Sequence, residues 1–226
     1  MEKHLGMVVA VEMAAVERKY GEPKSREISC GYEISLYDVG GASLYVCRCG
    51  EGEVAAAGAT MLLLAKYGVS LILNFGIVGG LTPAMGQYEL AVVDKVVHYG
   101  FDTSPVDPVK KGQLPGEGSP YLCFDRGLIE IAKAAIPGLR EVTCCSGDRF
   151  IGSPEEKQAL HEEWGADICE MEAAGILLIA KRAGVPALSI KMVSDAISGG
   201  PEQFYQAKER CSEACLNAVD EIIKTL

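Results

Sequence analysis

Cys169-Glu-Met-Glu-Ala-Ala-Gly175 sets two carboxylates either side of a methionine and follows them at once with small residues. The run opens an apolar segment, Ile176-Leu-Leu-Ile-Ala-Lys-Arg182, that stops at Gly184. Neighbours on one helical face are three or four residues apart, so Glu170 and Glu172 cannot share such a face. On an extended segment, residues two apart do. The pair is therefore predicted at the carboxy end of a strand or in the turn before a helix. That is where open α/β sheets bind ligands. The alternative reading of the same residues is two solvated acids that favour a helix macrodipole.

Outward from this stretch, the alternation of strand and helix recurs. Met7–Val11 reads as a buried strand that runs through Glu12 into a helix over 13–20. A glycine-rich turn, Cys49-Gly-Glu-Gly-Glu53, leads into an alanine-rich helix over 54–67 that ends at Gly68. Val69–Phe75 reads as a buried strand and Gly76-Ile-Val-Gly-Gly80 as a glycine turn after it. The segments 32–37 and 43–47 alternate as half-buried strands around a Gly40-Gly41 hairpin, and Pro23–Ser29 reads as a polar loop. Further strands are predicted over 88–93, 95–99, 142–145 and 186–193, with helices over 128–135, from Ser153-Pro154 onward, and from about Glu202 to Lys224. The segment 100–120 holds four of the ten prolines and reads as a long loop, a class that tends to be functional or mobile. No repeat or linker divides the chain, so one α/β domain over residues 1–226 is expected.

Composition bounds the function. The 226 residues are 49% hydrophobic, ample for one core, and no apolar run nears the roughly 18 residues of a membrane span. The N-terminal residues carry no basic, apolar and small-residue signal pattern, so a cytoplasmic protein is expected. A formal net charge of −10 argues against nucleic-acid binding and leaves room for a small, uncharged nucleoside. The nine cysteines show no Cys-x-x-Cys spacing and the three histidines make no zinc pattern with them, so no metal or other cofactor is expected. The cysteines read as reduced, mostly core residues.

Polar or glycine residues stand at several strand ends: Glu12, Gly76–Gly80, Ser146–Ile151, Glu170 with Glu172, and Ser194-Asp195. Strands sharing one sheet would bring these ends to one cleft. Several acids there, with little base nearby, would push at least one carboxyl pKa upward, as a general acid at neutral pH requires.

Together these residues resemble the nucleoside phosphorylase family, which includes the purine and uridine phosphorylases and the methylthioadenosine/S-adenosylhomocysteine nucleosidases. The resemblance runs through Gly50-Glu-Gly-Glu-Val-Ala-Ala56, Gly76-Ile-Val-Gly-Gly-Leu81, Gln113-Leu-Pro-Gly116 and Ser146-Gly-Asp-Arg-Phe-Ile151. It is most specific at Glu170-Met-Glu-Ala-Ala-Gly175 and Val193-Ser-Asp195. It implies a central mixed twisted β-sheet flanked by helices. It also implies that Phe150 stacks on a base that Ile151 bonds through its backbone. Met171 would then lie under the ribose, Glu172 would hold its hydroxyls and Glu170 would help form the pocket. Gly79 would lie near the sugar, and Asp195, oriented by Ser194, would protonate a purine leaving group.

Phosphorylases of this family hold phosphate with arginines and a hydroxyl. The turn here is Asn74-Phe-Gly-Ile77 and the first loop is Ala10-Val-Glu-Met-Ala14, without arginine or hydroxyl in either. Charge-assisted partners for phosphate would be missing, which favours water as nucleophile. The glutamate that activates water in the nucleosidases falls, without gaps, on Ala14 or Ala15 of this chain. Glu12 is the only acid of that loop and is taken as its replacement. Glu51 stands where the nucleosidases place an apolar contact, and Lys191 where an arginine is usual. The expectation is a nucleosidase releasing a purine base, a homo-oligomer with a dimer favoured. A phosphate-dependent phosphorylase or a weakly active nucleoside-binding protein are the alternatives.

Overall fold

The computed structural model describes residues 3–226 as one α/β domain with a mixed sheet of ten strands and six helices. Strand β1 (His4–Val9) lies between β4 (Ala42–Arg48) and β5 (Leu71–Gly80), parallel to both. Beyond β4 the sheet ends in the antiparallel strands β3 (Tyr32–Val39) and β2 (Ser25–Ser29). On the other side of β5 the pairing closes on itself. β5 meets both β9 (Ile168–Glu170) and β10 (Ala187–Asp195), β10 meets β6 (Leu90–His98), β6 meets β8 (Arg140–Ser146), and β8 meets β9. A short β7 (Tyr121–Cys123) flanks β6.

The central strands β1, β5 and β10 are buried on both faces, which is why they read as continuous apolar runs. β5 and β10 are almost wholly buried along their lengths. Helices α1 (Met13–Tyr20), α2 (Glu53–Tyr67), α3 (Arg126–Ala135), α4 (Pro154–Trp164), α5 (Ala173–Arg182) and α6 (Pro201–Ile223) flank the sheet. Local chemistry sets their ends. The Ser153 hydroxyl accepts the Glu156 N–H at 3.2 Å, with Pro154 in the first turn and Gly165 left-handed at the end of α4. The Asp125 carboxylate likewise accepts the Leu128 N–H at 2.9 Å.

Three sequence expectations change. Ser25–Ser29 is a strand rather than a loop; it is a polar, exposed edge, paired only to β3, and so carries no apolar alternation. The segments 88–93 and 95–99 form one strand, β6, whose register with β8 shifts between Val93 and Lys95, a bulge at Asp94. Gly76–Gly80 is not a turn: β5 runs through it, and Gly76, Gly79 and Gly80 all keep negative or extended φ. What the glycines supply is space. A Cβ on Gly76 would lie 2.8 Å from Glu12 Oε1, and one on Gly79 would lie 3.0 Å from Cys169 Sγ.

Candidate functional site: an acid-lined cavity at the strand ends

The ring of strands brings the last residues of β5, β9 and β10 together with the loops after β1 and β8. Between them lies a cavity of about 390 Å³. Every residue expected in the site lines it: Glu12, Gly79, Phe150, Ile151, Glu170, Met171, Glu172, Ser194 and Asp195. Register explains much of this. Gly79 pairs with Cys169 of β9 on one side and with Asp195 of β10 on the other. Its missing side chain lets those two strands bring Asp195 against the cavity wall.

The opening glutamates have separate tasks. Both are buried, which excludes the solvated-acid reading. Glu170 ends β9, and its carboxylate accepts the N–H groups of Glu172 (3.1 Å) and Ala173 (2.9 Å), and the Lys191 ammonium at 3.1 Å. The next orphan N–H groups of α5 go to Ser146 Oγ, which accepts from Ala174 at 3.2 Å, and to Glu53, which accepts from Gly175. Ser146 in turn donates to Glu53. Three side chains thus cap the start of α5, and Glu170 is occupied by that work. Glu172 is freer. One oxygen accepts the Gly52 N–H at 2.9 Å, and the side chain lines the cavity beside Met171.

Glu12 caps no N–H of its own helix. It reaches back, one oxygen accepting the Val11 N–H at 2.9 Å and the other the Ile77 N–H at 3.0 Å. It rests on the bare face of Gly76, where any side chain would collide with it. Ala14 and Ala15 do not line the cavity, and Ala14 is exposed. The acid at position 12 is therefore the one from the first loop that faces the cavity.

At the opposite wall, Ser194 Oγ lies 2.8 Å from Asp195 Oδ1 and 3.1 Å from the Val78 carbonyl. Lys157 Nζ lies 2.5 Å from Asp195 Oδ2. Phe150 is 43% exposed and meets Phe204 edge to face at 5.5 Å, so its open surface is available to a flat ligand. Pro201, Phe204 and Tyr205 at the start of α6 complete that side, with Glu51 and Arg149.

Charge is scarce and unevenly matched. Burial pushes the Glu172 carboxyl up to about 8, with the Glu170 charge adding to it. Burial and then Glu170 do the same to Glu53, also to about 8. Burial raises Glu12 too, opposed by the Ile77 N–H and the Lys191 charge. Burial works against the Lys191 ammonium, yet Glu170 and Glu172 carry its pKa above the ordinary lysine range. The cavity thus offers in Glu172 a carboxyl that exchanges its proton near neutrality, as acid–base chemistry needs. Among the described residues, no group of three or more His, Cys, Asp or Glu side chains is placed to hold a metal ion.

Sequence reasoning missed three members of this site. Lys157 sits on the apolar face of α4 with Leu160 and Trp164, at spacings of three and seven. A lysine on such a face was the available signal. Glu53 read as part of a glycine turn, and its partner Gly175 is 122 residues away. The wall from α6 carried no motif. The long segment 100–120, flagged for its prolines, contributes no residue to the cavity lining. Part of it packs instead on Trp164, with the Lys111 ammonium 5.5 Å from the ring centre.

Comparison with known proteins matches this geometry to a family. Residues 4–224 match the phosphorylase superfamily. A 5'-methylthioadenosine/S-adenosylhomocysteine nucleosidase of Hydrogenovibrio crunogenus is 30% identical over 221 residues, covering 95% of this chain and 94% of that protein. A nucleosidase of the same description from Helicobacter pylori superposes with a TM-score of 0.94 at 22% identity, over 99% of each chain. A futalosine hydrolase from the same organism superposes with a TM-score of 0.93 at 22% identity, over 99% of this chain and 98% of its own. With a family match along nearly its whole length and a relative 30% identical over 95% of it, this chain belongs to the phosphorylase superfamily.

Proposed function

We propose that the cavity hydrolyses the N-glycosidic bond of a purine nucleoside, with 5'-methylthioadenosine and S-adenosylhomocysteine, the substrates in its relatives' names, as the first candidates. Breaking the bond builds positive charge on the sugar and negative charge on the base. Glu172, beside Met171, takes the ribose hydroxyls and faces the sugar charge. Phe150 stacks on the base and Ile151 bonds it through its backbone. Asp195, oriented by Ser194, protonates the leaving base. Glu12 takes a proton from the attacking water. Gly79 leaves room for the sugar, and Glu170 shapes the pocket by fixing the start of α5.

The observation that carries hydrolysis over phosphorolysis is the state of the cations. Lys157 is held by Asp195, Lys191 by Glu170 and exposed Arg149 by Glu156. Each cation at the cavity already has a carboxylate partner, so a phosphate would have to displace one. Neutral water needs none. The test is release of free base from methylthioadenosine, adenosylhomocysteine, adenosine, inosine and futalosine, with and without phosphate. Release without phosphate is expected. Release that requires phosphate would make the protein a phosphorylase, and binding without release would make it a nucleoside-binding protein. Asp195→Asn should abolish turnover.

The setting follows the same reading. All nine cysteines are free, which favours a reducing, cytoplasmic compartment. Among the described residues, no helix is long and apolar enough to cross a membrane. Helix α2 leaves Val54 (82%) and Met61 (48%) exposed although the sheet covers its other side, which favours a homo-oligomer, a dimer first.

A further inference from the structure

Lys157 has none of its surface exposed and does not line the cavity. It stands behind Asp195. Its ammonium lies 2.5 Å from Asp195 Oδ2 and 2.7 Å from the Ala196 carbonyl, with the carbonyls of Asp195 and Gly199 at 3.3 Å. Burying an ammonium and a carboxylate costs several kcal/mol per ion before their attraction returns any of it. Pinning the loop after β10 needs only neutral donors to three carbonyls. The charge therefore calls for another reason. There is also a conflict in the site: a carboxylate beside an ammonium accepts hydrogen bonds and has no proton to give, yet Asp195 is the group placed to protonate the base.

We propose that Lys157 stores the proton that Asp195 delivers. This rests on the nucleosidase reading above. At rest the pair is an ammonium and a carboxylate. As the C1'–N9 bond breaks, its electron pair moves into the base. Asp195 passes a proton to a ring nitrogen of the base and takes one from Lys157 through the 2.5 Å contact. Lys157 becomes a neutral amine, whose two N–H groups can still serve two of its three carbonyl partners and whose lone pair faces Asp195. Water adds to C1' and its proton goes to Glu12; as the products leave, Glu12 releases that proton to solvent and Lys157 regains one. Lys157 acts through Asp195 and does not touch the substrate. The titratable groups that face Asp195 from the packed elements are thiols: Cys169 of β9, pushed by burial up to about 12, and Cys211 of α6, pushed by burial up to about 11. Neither exchanges protons between pH 6 and 9. Glu170, Lys191, Glu12 and Glu172 line or back the far wall.

The arrangement makes a conditional prediction. Without Lys157 the only proton left at the pair is the carboxylic acid's own, and that proton is lost as the pH rises. Lys157→Met should therefore retain activity near pH 6 and lose it on the alkaline side. Relative to wild type, kcat at pH 9 divided by kcat at pH 6 should fall at least about tenfold. A purely structural lysine would lower the rate by one factor at every pH, and parallel profiles would overturn the proposal. A second measurement needs no turnover. The infrared difference between wild type and Asp195→Asn at pH 7 should show an ionised carboxylate at Asp195. The difference between Lys157→Met and Lys157→Met/Asp195→Asn at pH 6 should show a protonated acid. A protonated Asp195 in the wild type would overturn the proposal. Absence of base release from every nucleoside would sink the nucleosidase reading, and the infrared result would still say where the pair holds its proton.

Discussion

Gly79→Ala tests the geometry of the site with a single methyl group. The added Cβ would sit 3.0 Å from Cys169 Sγ, 3.4 Å from Asp195 Oδ2 and 3.6 Å from Lys157 Cε. Ordinary contacts between such atoms begin near 3.5–4.0 Å, so the sulfur must yield by a few tenths of an ångström. Cys169 cannot easily yield, because its backbone pairs with Gly79 itself and with Cys145 on the other side. The strain passes to Asp195, whose strand pairs with Gly79 next to a register shift. Overpacking of this kind costs about 1–3 kcal/mol of stability. A misplacement near 1 Å costs about a hundredfold in rate, so a loss of roughly 10–100-fold in kcat is expected. The assay is base release from methylthioadenosine, or from whichever nucleoside the wild type cleaves, with thermal melting alongside. Cys169→Ala removes the closest contact, so the Gly79→Ala/Cys169→Ala protein should recover much of the rate. The single Cys169→Ala protein should stay near wild type. Gly79→Ala within threefold of wild type, or a double variant no better than Gly79→Ala, would refute the packing argument.

Other perturbations address the acids one at a time. Glu12→Gln should lower kcat by about 10²–10⁴ with a small change in KM, since it removes the water's base and leaves the base and ribose contacts intact; steady-state kinetics decide it. Lys191→Met strips a buried partner from Glu170 and should cost about 3–5 kcal/mol, read as a melting temperature lower by roughly 6–20 °C. Glu53 has a native pKa raised to about 8. Its contribution to stability is therefore fully present below its ordinary value of 4.5 and is lost as pH rises through about 8. Glu53→Gln can keep both hydrogen bonds, Gly175 N–H to oxygen and amide to Ser146. It should flatten the fall in melting temperature between pH 5 and 8.5, and an unchanged slope would count against a protonated Glu53.

The parts of the molecule that sequence made legible are those governed by neighbours along the chain. Ser153-Pro154 announces a capped helix, Gly68 a helix end, and the two-residue spacing of Glu170 and Glu172 a strand-to-helix junction. What stayed hidden depends on partners far away. The glycines of β5 are spaced for contacts with Glu12, Cys169 and Asp195, which are 64, 90 and 116 residues from Gly76 or Gly79, so locally they look like a turn. The buried lysines have the same origin. Lys157 meets Asp195 38 residues on, and Lys191 meets Glu170 21 residues back. A cation inside a core is hard to read from pattern alone because its partner is supplied by the fold. Glu12 is the reverse case: it stands two or three residues before the position the resemblance pointed to, and its side chain turns back over β5 to line the cavity.

The same long-range pairing explains how one cavity holds so many acids. Lys191 stands against Glu170, and Lys157 against Asp195, so two of the carboxylates are matched. Glu172 and Glu12 have no cation of their own. Burial raises both carboxyls, and the Glu170 charge adds to the rise at Glu172, so the cavity holds further negative charge poorly. A neutral nucleoside does nothing to correct this. A sugar that is becoming cationic does, because it brings positive charge into the gap between Glu172 and the water-side acid. The imbalance is relieved in the transition state more than in the ground state, which is the condition for acceleration rather than mere binding. It follows that a ligand with a fixed positive charge at the sugar position should bind far more tightly than its uncharged counterpart. The difference should shrink in Glu172→Gln, measured by calorimetry at constant pH, and equal affinity for the charged and uncharged ligands in the wild type would refute the account.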